Sequence, residues 1–332
     1  MTEWKRRRAG GFRWLVLTAV LLTSSGCIGV LNPKGPVGQA EKLILINSLA
    51  IMLTIVIPTI VLTLVVAWWF RASNPRATYQ PNFVYSGQLE LIVWSIPLLV
   101  ILLLGGIAWI GSHDLDPPKP LLAEGKQLEV QVVSLDWKWL FIYPEQGVAA
   151  VNELVIPAGR PVHFELTSSS VMNAFFVPQL GGMIYTMNGM RTNLNLQADQ
   201  PGEFHGLSSN YSGNGFSGMS FMTRAVSEPD FESWVQTAQQ SSNLLDDAAY
   251  IALSYPSEKV PPATYKLGSP ELFQSILLHR LPPGPGPATG PMHLRPAPGA
   301  APQAQTHEMP SMPNAGAPHE MAPAPASPDQ EG

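Results

Sequence analysis

Three kinds of side chain in this sequence have the type and placement to do chemistry. Cys27 is the chain's one cysteine. A single thiol excludes an internal disulfide and any multi-cysteine zinc or iron–sulfur centre, so Cys27 is either a site of covalent modification or a plain buried cysteine, the latter also in an uncleaved anchor running to about Val30. Glu90 stands directly before a run of 22 uncharged residues, 91–112. A carboxylate at the mouth of an apolar segment is either simply hydrated there or carries protons into it. Trp137, Trp139 and Phe141 recur at every second position, so on a strand they share a face. That face is either an aromatic surface for electron uptake or partner docking, or packing inside a core. Soft ligands come late in the chain, at His307, Met309, Met312, His319 and Met321. They are a thin set, able at most to hold copper weakly.

The elements that must position these groups begin with an export signal. Lys5, Arg6, Arg7, Arg8 and Arg13 precede an apolar core, Trp14 to Leu22, and then Thr-Ser-Ser-Gly-Cys. Charge, apolar core and small residues in that order form a signal-peptide layout. Small residues directly before a cysteine resemble the bacterial lipoprotein cleavage box, with Ser24 three positions before it. That resemblance implies removal of residues 1–26 and a lipid anchor on Cys27.

Two membrane spans follow. Residues 43–70 are 28 residues without a charge, and 91–112 are the second uncharged run. At about 1.5 Å per residue either run crosses a hydrocarbon core of about 30 Å, the first with some tilt or overhang. Trp68, Trp69 and Phe70 suit an interfacial aromatic belt, and Pro58 and Pro97 are places for kinks. The spans are thus expected at about 43–70 and 89–112. The connecting loop carries Arg71 and Arg76 and no acid, so it is expected on the cytoplasmic side. Everything after about residue 112 is then periplasmic, the same topology that an exported Cys27 requires.

Charge divides the chain at that point. Residues 1–112 hold nine Lys/Arg and three Asp/Glu; residues 113–332 hold ten and twenty-one. An acidic half with no basic cluster speaks against nucleic-acid binding. Only 13% of residues are charged, about half the usual ~25%, as membrane spans require.

After a Pro-rich linker the hydrophobic period changes to two. Leu128-Glu129-Val130-Gln131-Val132 alternates as a half-buried strand does. Strands are further expected over 136–143, 151–156, 162–168, 174–178, 183–187, 192–197, 203–208 and 217–226. Gly and Pro turns separate them, the pattern of a small antiparallel β-sandwich over 113–227. Ser227 caps a helix beginning at Glu228, and Ser269-Pro270-Glu271 opens a short one reaching about Arg280. Residues 228–280 therefore read as a helical arm. Residues 281–332 hold fourteen prolines and too little apolar area to fold, so a disordered tail is expected.

Several separated motifs, in order, resemble subunit II of the haem–copper respiratory oxidases. They are Val-Val-Ser-Leu-Asp-Trp-Lys-Trp (132–139), Val-Met-Asn-Ala-Phe-Phe-Val-Pro (171–178) and Ser-Asn-Tyr-Ser-Gly-Asn-Gly-Phe-Ser-Gly-Met-Ser-Phe (209–221). The resemblance spans roughly residues 27–280. It implies a two-helix transmembrane hairpin followed by a periplasmic cupredoxin-like β-sandwich with a C-terminal helical arm. In the cytochrome c oxidase branch that sandwich binds dinuclear copper through a His, two Cys four residues apart, a second His and a Met, with a Glu carbonyl between the cysteines. Here the matching positions are Asn173, Ser208, Ser212, Phe216 and Met219, with Asn210 in place of the Glu. Two serines supply no thiolates and a phenylalanine ligates nothing.

This substitution pattern is similar to the quinol oxidases of the cytochrome bo type. The resemblance implies a subunit with no cofactor of its own, in a proton-pumping complex that oxidises quinol and reduces oxygen to water. Haems and copper are then expected in subunit I. The implied partners are subunit I, the smaller subunits III and IV, quinol and the lipids of the bacterial inner membrane. Glu90, in Gln-Leu-Glu-Leu-Ile-Val-Trp, matches a family glutamate at the entrance of a proton-uptake channel. Two other readings stay open: a copper-bearing subunit accepting from cytochrome c, and a membrane-tethered lipoprotein that binds a ligand.

Overall fold

A computed structural model of the chain describes residues 28–78, 80–121 and 126–282. Cys27, the leader before it and the tail beyond residue 282, with its His and Met residues, lie outside the described residues.

A single helical turn, α1 (Ile28–Leu31), leads to two long helices, α2 (Pro36–Trp69) and α3 (Gly87–Asp114). Pro36 at the first helical position starts α2, because proline's fixed φ suits that position and its missing N–H is not needed there. The helix therefore begins seven residues before the uncharged run. Its 34 residues span about 50 Å, well beyond a hydrocarbon core. The surplus turns form a stalk that reaches the sandwich. Hydroxyls inside the apolar stretch are satisfied along the helix: Thr54, Thr59 and Thr63 each donate to the carbonyl four residues back, at 2.8–2.9 Å. Arg71 lies 4.7 Å over the Trp68 ring at the far end, a cation–π contact suited to an interface.

Ten strands build the sandwich. They are β1 (Leu128–Leu135), β2 (Lys138–Tyr143), β3 (Val148–Val151), β4 (Glu153–Pro157), β5 (Val162–Ser168), β6 (Asn173–Phe176), β7 (Ile184–Thr186), β8 (Thr192–Leu196), β9 (Gly202–Ser208) and β10 (Ser220–Val226). The arm follows with α4 (Glu228–Gln239), β11 (Leu244–Leu245), α5 (Asp247–Ser254), β12 (Ala263–Leu267) and α6 (Leu272–Leu277). One sheet runs β11-β12-β3-β2-β1-β5-β8 and the other β4-β10-β9-β6-β7.

The sheets are mixed, which refines the antiparallel expectation. β1 pairs in parallel with β5, β4 with β10, and β11 with β12. The cause lies in the connections. After β3 the chain crosses to the second sheet as β4, and β5 re-enters the first sheet running the same way as β1.

The centre of the seven-stranded sheet, at β2 and β3, is buried on both faces. Leu128, Val130, Val132, Trp139, Phe141 and Tyr143 point to the second sheet. Val133, Leu135, Leu140 and Ile142 point the other way, where Leu245, Tyr250, Leu272, Phe273 and Ile276 of the arm cover them. The inner layer is aromatic: Phe175 stacks on Phe221 at 5.2 Å, and Trp139 meets both edge-on at 5.5 and 5.6 Å. Ser227 caps α4, its hydroxyl accepting from the Asp230 N–H. The arm also adds β12 to the open edge of β3.

Stalk and sandwich meet closely. The Lys34 N–H donates to Gln179 O at 2.7 Å, Gly38 N–H to Leu180 O at 3.0 Å, and Asp199 N–H to Lys34 O at 2.8 Å. A Cβ on Gly35 would lie 2.1 Å from Gln197 O, so only glycine allows this approach.

Candidate functional site

The positions matched to copper ligands converge beneath the loop between β9 and β10. β6 supplies Asn173 and β9 supplies Ser208; the loop supplies Asn210, Ser212, the single turn Phe216–Gly218, and Met219. The Ser208 hydroxyl donates toward Asn173 Oδ1 at 3.2 Å, and the Ser212 hydroxyl toward Met219 Sδ at 3.9 Å. Asn210 Nδ2 donates to Met172 O at 3.1 Å. Asn173, Ser208, Ser212 and Met219 are all buried. Phe216 turns its ring to Tyr211 at 5.6 Å.

The sequence spacing is thus a spatial cluster, but its donors are two neutral hydroxyls, two amides and one thioether, and they are engaged with one another. Such a set lacks the thiolates and imidazoles that soft copper demands. The residues present do not fit the dinuclear centre.

Trp137 and Trp139 are corrected as docking aromatics. They are 3% and 0% exposed, so neither ring reaches a partner at the surface. They also do not continue one strand. Trp137 sits in the two-residue turn between β1 and β2 with φ 66°, while Trp139 and Phe141 lie on β2 in the core. Trp137 Nε1 donates to Ser212 O at 3.1 Å. A Cβ on Gly215 would lie 2.3 Å from the Trp137 ring. The ring is the floor on which the loop rests.

The same turn carries charge into the interior, which the sequence reading missed. Lys138 is fully buried and Asp136 is 1% exposed. Lys138 Nζ donates to Asp136 O at 3.3 Å, Tyr255 O at 2.8 Å and Ser257 Oγ at 2.7 Å. Ser170 Oγ donates to Asp136 Oδ1 at 2.5 Å, while Asp136 Oδ2 is buried without a partner among the described residues. Burial pushes the Lys138 amine down to about 8, with the Asp136 charge pulling the other way. Burial likewise raises the Asp136 carboxyl, against the Ser170 hydrogen bond and the Lys138 charge. One signal was available: an acid and a lysine interleaved with two tryptophans, Asp136-Trp137-Lys138-Trp139, at the start of an otherwise uncharged strand.

Glu90 lies in the first turn of α3 and is exposed. It shares the hairpin end opposite the sandwich with Arg71 and Arg76. A surface patch lies elsewhere. Met172, Met183, Tyr185, Met190 and Tyr211 are 40–73% exposed. They gather at the edge strand β7 and the loop beside it, where the Ser209 hydroxyl meets Met183 Sδ at 3.5 Å. β7 begins two residues after Gly182, which lies against Glu41 of the stalk. Met183 and Tyr185 therefore lie on the part of the sandwich next to the stalk.

Known proteins match this architecture. The family described as cytochrome c oxidase subunit II, periplasmic domain, matches residues 129–226, and the COX aromatic-rich motif matches 239–279. The protein named cytochrome bo(3) ubiquinol oxidase subunit 2 in Pseudomonas aeruginosa is 49% identical over 265 residues, 80% of each chain. The ubiquinol oxidase subunit 2 of Acetobacter aceti is 49% identical over 263 residues, 79% of this chain and 85% of that one. The crystal structure of the periplasmic domain of subunit II of cytochrome oxidase from Bradyrhizobium japonicum shares 24% identity at a TM-score of 0.34. It covers 36% of this chain and 98% of that one.

Proposed function

The chain belongs to the ubiquinol oxidase subunit 2 family, and from that premise we propose that it is a copper-free, non-catalytic subunit II that braces and caps the catalytic subunit of the complex. The family makes it part of a quinol-oxidising oxidoreductase. The observation that carries the copper-free reading is the donor set at Asn173, Ser208, Asn210, Ser212, Phe216 and Met219. With no dinuclear copper here, electrons from quinol pass directly to subunit I, which holds the haems and copper. Two quinols release the four electrons and four protons that one oxygen molecule needs to become two waters.

The exposed patch of methionines and tyrosines is the surface for subunit I. Edge strands with exposed apolar side chains are partner sites rather than solvated edges. Subunits III and IV complete the assembly in the inner membrane, and lipid on Cys27 adds a second anchor.

Purification of the oxidase through this subunit tests the reading. Metal analysis is expected to give no copper assignable to the sandwich, and quinol but not reduced cytochrome c is expected to drive oxygen uptake. Stoichiometric copper on this subunit would overturn it.

Glu90 forms part of the proton entrance in this proposal. Its place in the first turn of α3, at the end of the hairpin that carries Arg71 and Arg76, supports that role. Glu90→Ala is expected to slow quinol-driven oxygen uptake severalfold while the haem spectrum stays unchanged. Unaltered turnover in that variant would remove Glu90 from the proton path.

A further inference from the structure

The arm is fixed to the sandwich by unlike ties. One is neutral: Asn152, at φ 55°, accepts from Trp139 N–H at 2.8 Å and donates to Val260 O at 2.8 Å. The other is the Lys138 amine, sealed between its own turn and the arm. Its contacts to the arm are a carbonyl and a hydroxyl, Tyr255 O and Ser257 Oγ, and it forms no ion pair among the described residues. A buried amine held by neutral acceptors must either keep its charge without water around it or give up its proton.

We propose that the arm is a strap closed by a proton-linked clasp: the Lys138 amine is open to water when the arm is lifted and is sealed among neutral acceptors when Tyr255 and Ser257 close over it. The closed site buries the amine completely. Lifting residues 255–260 would remove two of its three hydrogen-bond partners and open it to water. The titratable groups on the surrounding elements are few. The turn carries Asp136. The arm carries Tyr250, Tyr255, Glu258 and Lys259, of which Tyr250 is buried and the other three are exposed. The 168–171 loop carries none. The Asp136 charge is the one that favours the protonated amine.

The direction of the pH effect follows from linkage. The closed form binds its proton with a pKa of about 8, against about 10.4 for an exposed lysine. Below 8 both forms are protonated and closure does not depend on pH. Between those values the open form holds more protons, so closure strengthens as pH rises, by at most about tenfold per pH unit. Above both values the dependence ends again. At neutral pH the strap is thus held over an ammonium, which makes it the more easily lifted cover of the sheet.

Hydrogen exchange on the assembled oxidase tests this, following backbone amides of residues 255–267 from pH 7 to 10 with intrinsic exchange rates divided out. In the native complex the open fraction is expected to stay level below pH 8 and to fall severalfold by pH 9.5. Lys138→Met is expected to abolish that fall. Lys138→Arg, which cannot lose its proton, is expected to abolish the fall as well and so to leave the arm open more often than in the native complex above pH 8. Asn152→Ala is expected to raise exchange at every pH and keep the fall, a result that a merely structural Lys138 would not separate. A pH-independent arm in the native complex, or a fall that persists in Lys138→Met, would overturn the proposal; the native measurement alone suffices if a variant fails to assemble.

Discussion

The seven-stranded sheet has two covers, and they are made differently. Its inner face meets the second sheet through stacked and edge-on aromatic rings, with Trp139, Phe141, Phe175 and Phe221 all buried. Its outer face meets the arm through a smaller apolar layer around Leu140, Ile142, Tyr250 and Phe273. At that layer's edge are the Lys138 amine and Asn152, both hydrogen-bonded across to the arm. Burial and ring packing dominate the inner cover, with few directional bonds across it, such as the Tyr143 hydroxyl that donates to Val155 O and accepts from the Val155 N–H at 2.9 Å. Directional bonds, one of them to an ionisable group, help hold the outer one. The comparison teaches that the aromatic layer is a core in its own right, which of the positions matched to copper ligands includes Met219 alone.

Substitutions should separate the covers. The largest effect is expected from Phe175→Ala, which empties the centre of the inner layer. Removing a fully buried ring costs about 3–5 kcal/mol, enough to keep the subunit from accumulating in assembled oxidase, read by haem yield. Asn152→Ala should cost less. It leaves the buried Trp139 N–H without an acceptor, about 1–3 kcal/mol, and shows as a lower thermal midpoint with haem content preserved. Ser227→Ala should cost least, about 1 kcal/mol for the lost helix cap, and show as faster proteolysis at α4 with turnover unchanged. An Asn152→Ala loss as large as that of Phe175→Ala would mean that the two covers form one cooperative unit.

The sequence made the membrane hairpin legible because charge is absent from 43–70 and 91–112. The strands with a polar face were also legible, and so was the helix that Ser227 caps. What could not be read had physical reasons. β2 is apolar on both faces, so its alternation carries no sign of inside and outside. β12 and α5 exist because β3 leaves an open edge and the sheet leaves an apolar outer face, and both facts belong to tertiary structure. α2 starts at Pro36 rather than Leu43 because the extra turns are held by the sandwich, through Gly35 and Gly38. The positions matched to copper ligands came from the family resemblance, and the structure gathers them around one loop. The Lys138 clasp needs partners more than a hundred residues away and was invisible along the chain. Trp137 and Trp139 showed the limit of period-two reasoning, since Trp137 is itself a turn residue at positive φ and the strand begins only after it.

The stalk has a geometric consequence. α2 runs unbroken from the bilayer into the sandwich, and its first turn is seated without a flexible joint at Gly35 and Gly38. Helix length then acts as a ruler for how high the sandwich stands, and helix phase as a dial for which side it shows to its neighbours. One residue added between Leu43 and the contact at Gly38 would lift the sandwich by about 1.5 Å and turn it by about 100°. The methionine–tyrosine patch would then face away from the side it now occupies, with every contact inside the sandwich intact.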